Sequence, residues 1–133
     1  MIKFTIPGKP KGKGRPRFTG KRTYTPKATA DYEKMIRCEY IRQVGRHDPI
    51  EGPVIAEISC YYQVPKGDSK AKRKAKVAGE IPATGKPDLD NVAKAVLDSL
   101  NGLAFEDDAQ VVSLLVTKRY AEAGRIDVTI QEG

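Results

Sequence analysis

A chain of 133 residues suits one domain with a buried core, and 39% hydrophobic with 31% charged residues excludes general disorder while requiring a heavily ionised surface. Lys and Arg number 24 against 17 Asp and Glu, a net charge of +7 that favours a polyanionic partner over a neutral small molecule. No apolar run reaches a membrane span and Met1–Pro7 lacks the apolar stretch of a signal peptide, so a cytoplasmic protein with no membrane partner is expected.

Ile2, Phe4 and Ile6 alternate with Lys3 and Thr5, the period of a half-buried strand that stops at Pro7-Gly8. Residues 8–27 are punctuated by Pro10, Pro16, Pro26, Gly12, Gly14 and Gly20, which predicts a long loop without regular structure. That loop carries Lys9, Lys11, Lys13, Arg15, Arg17, Lys21 and Arg22, and no acidic residue precedes Asp31. Such one-sided charge marks a phosphate-holding segment, and Phe18 and Tyr24 within it are suited either to stacking on an opened base or to local packing.

Thr29 is positioned to cap a helix whose apolar stripe runs through Tyr32, Met35, Ile36, Tyr40, Ile41 and Val44 and ends at Gly45. Val54, Ala56, Ile58, Cys60 and Tyr62 define a central strand closed by Val64-Pro65. Residues 66–76 predict a short, exposed basic helix after Ser69, with Lys70, Lys72, Arg73 and Lys74 as further phosphate contacts. Residues 79–86 form a connector. Leu89, Val92, Ala93, Val96 and Leu100 mark a third helix that stops near Asn101-Gly102. Val112–Thr117 and Ile126–Ile130 alternate as two strands, read as a C-terminal hairpin. The fold class is therefore α+β, a single small domain over residues 1–133 with a mixed sheet and helices on one side. Cys38 and Cys60 are expected to be packed, reduced thiols, and His47 a surface histidine.

The acids are concentrated. Asp88 and Asp90 stand at the start of the third helix, near the positive end of its dipole, where ionised carboxylates are favoured and a hard cation such as magnesium finds oxygen ligands. Asp90, Lys94 and Asp98 are spaced four apart and share a ridge away from the apolar stripe. Glu106-Asp107-Asp108, one short loop later, offers a third carboxylate. Metal held by such acids can activate water and neutralise charge in phosphodiester hydrolysis, with Lys94 supporting the developing charge. The same residues also make an ordinary cap, a charge ladder and a polar turn, so a non-catalytic basic nucleic-acid-binding module is the rival reading.

Lys86-Pro87-Asp88-Leu89-Asp90-Asn91, Lys94-Ala95, Asp98-Ser99-Leu100-Asn101-Gly102 and Glu106-Asp107-Asp108-Ala109-Gln110-Val111-Val112 together resemble the signature of the RusA family of Holliday-junction resolvases. Gly8-Lys9-Pro10, Lys13-Gly14-Arg15-Pro16-Arg17 and Tyr24-Thr25-Pro26 resemble its phage-like branch, so the likeness covers most of the chain. The resemblance implies a bacterial or phage-encoded homodimeric endonuclease that cuts branched DNA in paired symmetric nicks. It further implies magnesium, with manganese as a substitute, on Asp88, Asp90 and Asp108, and assistance from Lys94. Pro87 stands where some members carry arginine, and Asn91 matches a motif position of supporting character. From the residues alone Asp107 competes with Asp108, since strand neighbours point to opposite faces. No apolar pattern singles out a dimer interface; the N-terminal strand and the Tyr32 helix are the candidates.

Overall fold

The computed structural model describes residues 1–14, 17–20, 22–24 and 26–133, with backbone only at 17–19 and 22–24. The elements are β1 (Ile2–Pro7), β2 (Arg17–Thr19), β3 (Arg22–Tyr24), α1 (Lys27–Gln43), β4 (Val54–Gln63), α2 (Lys70–Val77), α3 (Leu89–Ser99), a 3-10 turn (Asp108–Gln110), β5 (Val111–Ala121) and β6 (Arg125–Glu132). Arg15, Lys21 and the side chains of Arg17, Phe18, Arg22 and Tyr24 lie outside the described residues.

Four strands form one mixed sheet in the order β1-β6-β4-β5. On its helical face Phe4, Ile6, Ala56, Ile58, Cys60, Ile126, Val128 and Ile130 are buried beneath Tyr32, Ile36 and Tyr40 of α1 and Val92, Ala93 and Val96 of α3. Full burial of a side chain such as Ile36 or Ile58 contributes about 1.5–3 kcal/mol, so this layer holds the domain together. The other face, with Glu57, Ser59, Tyr61, Asp127 and Thr129, stays at least partly solvated, as the period-2 pattern requires. Tyr32 is buried in this core, on the inner face of α1.

Several sequence expectations change. The C-terminal strands are consecutive and antiparallel in direction, but β4 lies between them: it pairs with β6 antiparallel (Cys60 opposite Ile126) and with β5 parallel (Ile58 opposite Val116). The expected hairpin is thus a strand pair with a third strand inserted. Parallel β4 and β5 need a long crossover, which α2, the connector and α3 supply. The predicted 8–27 loop contains a short β2–β3 pairing, Arg17 opposite Tyr24, turned at Gly20 with φ +62°. Three-residue strands are too brief to show periodicity. α1 starts at Lys27 behind Pro26, whose ring presets a helix-compatible φ, and Thr29 sits buried in the first turn rather than capping it. The basic helix is only partly exposed: Lys76 is buried, its Nζ 2.6 Å from Asp68 and 4.9 Å from the Tyr120 ring centroid. Cys60 is buried as expected and its thiol pKa is pushed up to about 11 by that burial, whereas Cys38 is exposed; both are free. Among the described residues no helix is long and apolar enough to cross a membrane.

Candidate active site

The entrance to α3 is held by long-range contacts. Tyr62, at the end of β4, donates its hydroxyl to the Pro87 carbonyl at 2.7 Å, and Lys118 of β5 reaches the Gly85 carbonyl while its Nζ lies 4.9 Å from the Tyr62 ring centroid. Burial, with Asp88 among its negative neighbours, pushes the Tyr62 hydroxyl pKa up to about 12. Asp88 takes extended angles (φ −67°, ψ 147°) at the N-cap, yet its carboxylate makes no capping bond. It is exposed, as is Asp90 in the first turn. Two carboxylates not consumed by the helix terminus are therefore presented beside its positive end.

One turn on, exposed Lys94 donates to Asp98 Oδ1 at 3.3 Å, so the predicted ridge is real and its second half is an ion pair. Asp98 is more enclosed, because Lys13 approaches its Oδ2 at 2.7 Å and also reaches Glu33 Oε2 at 3.0 Å. Lys13 was expected to hold phosphate; the fold gives its ammonium to two carboxylates instead. Burial alone would raise the Asp98 pKa, but Lys13 and Lys94 outweigh it and keep the carboxyl below its ordinary value. A depressed acid contributes stability that is complete above its ordinary pKa of 3.8 and is lost as pH falls through the lower folded value. Thermal melting of wild type and Asp98→Asn should therefore differ at pH 6 and converge on acidification below about pH 4. An unchanged gap at the acid end would contradict this assignment.

The third acidic group is not in a strand. Asp107 is the N-cap of the 3-10 turn: its side chain accepts from the Ala109 amide at 3.1 Å, and Gln110 returns a bond to the Asp107 amide at 2.8 Å. Asp107 is thereby occupied, while Asp108 is half-buried and makes no side-chain hydrogen bond or ion pair among the described residues. Its position is unexpected. Gln110 binds the Ile50 and Gly52 carbonyls, and Val111 pairs with Val54, which places Asp108 at the start of β4. Asp88 lies at the other end, beside Tyr62. Eight residue steps of strand separate Val54 from Tyr62, roughly 26 Å, whereas ligands of one hard cation lie within about 5 Å of each other. Accordingly, no group of three His, Cys, Asp or Glu among the described residues is placed to hold a metal ion. The expected convergence of Asp88, Asp90 and Asp108 within one protomer does not occur.

The other basic positions divide by environment. Lys9, Lys11, Lys70, Lys72 and Lys74 are exposed. Lys11 also lies 5.6 Å from the Tyr32 ring centroid, and Lys72 stands 3.9 Å from Asp68. Arg73 turns to the Pro65 carbonyl and Glu122. Tyr62, Lys118 and the Lys13–Asp98 contact carried no sequence signal, because each joins residues distant in the chain.

Comparison with known proteins gives the family. The chain is 41% identical over 140 aligned positions to an uncharacterised protein of Bacillus subtilis (strain 168), YqaN, the alignment covering 98% of this chain and 96% of that protein. Residues 7–131, nearly the whole chain, match the endodeoxyribonuclease RusA family, and this chain belongs to that family.

Proposed function

We propose that the protein is a magnesium-dependent, structure-selective endodeoxyribonuclease that resolves four-way DNA junctions by paired symmetric nicks, working as a twofold homodimer in DNA recombination and repair. The observation that carries this reading is the pair of unengaged carboxylates, Asp88 and Asp90, at the N-terminus of α3 with Lys94 one turn behind. Hard oxygen donors of this kind fit magnesium, which when bound would lower the pKa of a water and neutralise charge at the phosphate. Lys94, exposed one turn further along α3, would meet the developing negative charge of the phosphate. Lys9, Lys11, Lys70, Lys72 and Lys74 supply exposed positive charge that positions DNA without reading its sequence.

The separation of Asp108 from Asp88 supports a site shared between two copies. β5 is an edge strand on which Val112, Leu114 and Leu115 are exposed by 67%, 44% and 55%. A free, apolar edge of this length invites strand addition. Antiparallel self-pairing near Leu114 would carry Asp108 of one copy alongside Tyr120 of the other, the residue that neighbours Tyr62 at the α3 entrance. One twofold axis would thus cover the apolar edge and bring the third carboxylate toward Asp88 and Asp90 of the partner.

The deciding experiment incubates the protein with a synthetic four-way junction, with and without magnesium. Paired nicks at symmetric positions, present only with the metal, are the expected result. Binding without cutting would establish the non-catalytic module, and equal cutting of plain duplex a general nuclease.

A further inference from the structure

We infer that Lys13 and Asp98 are positioning residues that hold the Lys94 ammonium at the reacting phosphate and tie the root of the basic loop to the catalytic helix. This inference rests on the role given to Lys94 above. Asp98 uses its two oxygens separately, Oδ2 for Lys13 at 2.7 Å and Oδ1 for Lys94 at 3.3 Å. Glu33 of α1 accepts from Lys13 at 3.0 Å, so the loop root is clamped between α1 and α3. The side chains of Lys13, Glu33 and Asp98 are 21%, 18% and 18% exposed, enough enclosure to resist the screening that weakens surface pairs.

The backbone is built for this contact. Lys13 donates its amide to the Asn91 carbonyl at 3.0 Å and Gly14 donates to Thr29 Oγ1 at 3.0 Å. A Cβ on Gly12 would meet Asn91 Cβ at 3.1 Å and Pro87 Cβ at 3.3 Å, and one on Gly14 would meet Thr29 Oγ1 at 2.5 Å. A side chain at Gly12 would crowd the segment that carries Asp88 and Asp90, and one at Gly14 would crowd the start of α1.

Charge balance gives the contact its consequence. Lys13 neutralises Asp98, the carboxylate paired with Lys94, which leaves Lys94 oriented by Asp98 but with its positive charge available to phosphate. With Lys13 removed, Asp98 would draw Lys94 into a closed pair on the helix surface and add a net negative charge beside the substrate. The chemical step should suffer, while DNA binding should not.

The test measures single-turnover cleavage of a four-way junction at saturating protein, together with junction affinity across salt, for Lys13→Met, Lys13→Arg, Asp98→Asn and Lys94→Ala. Lys13→Met and Asp98→Asn are expected to slow cleavage about 10- to 100-fold with affinity changed less than about twofold, and Lys13→Arg to restore most of the rate. Lys13→Met combined with Lys94→Ala should be no slower than Lys94→Ala alone, since both act through one ammonium. If Lys13→Met instead weakens binding, lowers the salt slope by about one and cleaves normally at saturation, Lys13 is a phosphate contact and the inference fails. A wild-type rate for Lys13→Met beside an inactive Lys94→Ala would sink it while leaving the nuclease reading intact. A wild-type rate for Lys94→Ala would remove the role of Lys94 and this inference with it. Thermal melting identifies a variant that fails to fold, in which case the remaining substitution on the Lys13–Asp98 contact decides.

Discussion

Asp90→Asn should fold and bind a four-way junction at least as well as wild type, yet lose magnesium-supported cleavage by roughly a thousandfold. The side chain is exposed, so its amide analogue disturbs no packing. Loss of about 4 kcal/mol of charge stabilisation, within the range that a bound metal supplies, corresponds to that factor. Removing one negative charge also relieves repulsion with DNA. The arrangement of acids makes a sharper test available. Asp90→Asn and Asp108→Asn should each be inactive, but mixing them should restore nicking if Asp108 acts across the dimer. The heterodimer then contains one composite site with Asp88 and Asp90 from one chain and Asp108 from the other, all intact. A site built within a single chain would gain nothing from mixing, because each protomer would remain defective. Cleavage by Asp90→Asn at the wild-type rate would exclude its ligand role altogether.

Leu114→Lys should convert the protein to a monomer by light scattering and abolish junction cleavage, with little change in melting temperature when measured at a concentration where wild type is also monomeric. Leu114 is 44% exposed on the free edge of β5, so a lysine there costs the isolated fold little. Across a twofold axis the substitution acts twice. Burying the exposed 44% of two leucine side chains contributes about 1.3–2.6 kcal/mol, a weakening of the dimer by roughly tenfold to a hundredfold. Positive charge on an edge strand also opposes strand pairing directly. A dimer that persists in Leu114→Lys and still nicks symmetrically would place the interface elsewhere, with the β1 edge and the exposed face of α1 next in line.

Both tests depend on a division within the molecule. The α3 entrance is a local feature: Asp88, Asp90 and Lys94 stand where helix periodicity and capping rules put them. The third acid illustrates the opposite case. Chain distance suggests that a group 18 positions after Asp90 lies close by, but α3 runs back along the sheet and delivers Asp108 to the far end of β4. Chain order likewise does not distinguish Asp107 from Asp108, whereas the 3-10 turn engages the Asp107 side chain with its own backbone.

Alternation at Ile2–Ile6, Val54–Tyr62 and Ile126–Ile130, and the three-four spacing of α1 and α3, were sufficient to determine the elements, the α+β class and the helix-covered face, because burial imposes these periods on any strand or helix beside one core. Which strand pairs with which lay outside that signal: the insertion of β4 between β5 and β6 leaves the alternation of all three unchanged. Only the tertiary structure decided it, and with it the burial of Lys76, the ion pair of Lys13 with Asp98, and the separation of the two halves of the acidic set. Periodicity reports the environment of each element, whereas pairing order and ion-pair partners depend on contacts between residues tens of positions apart.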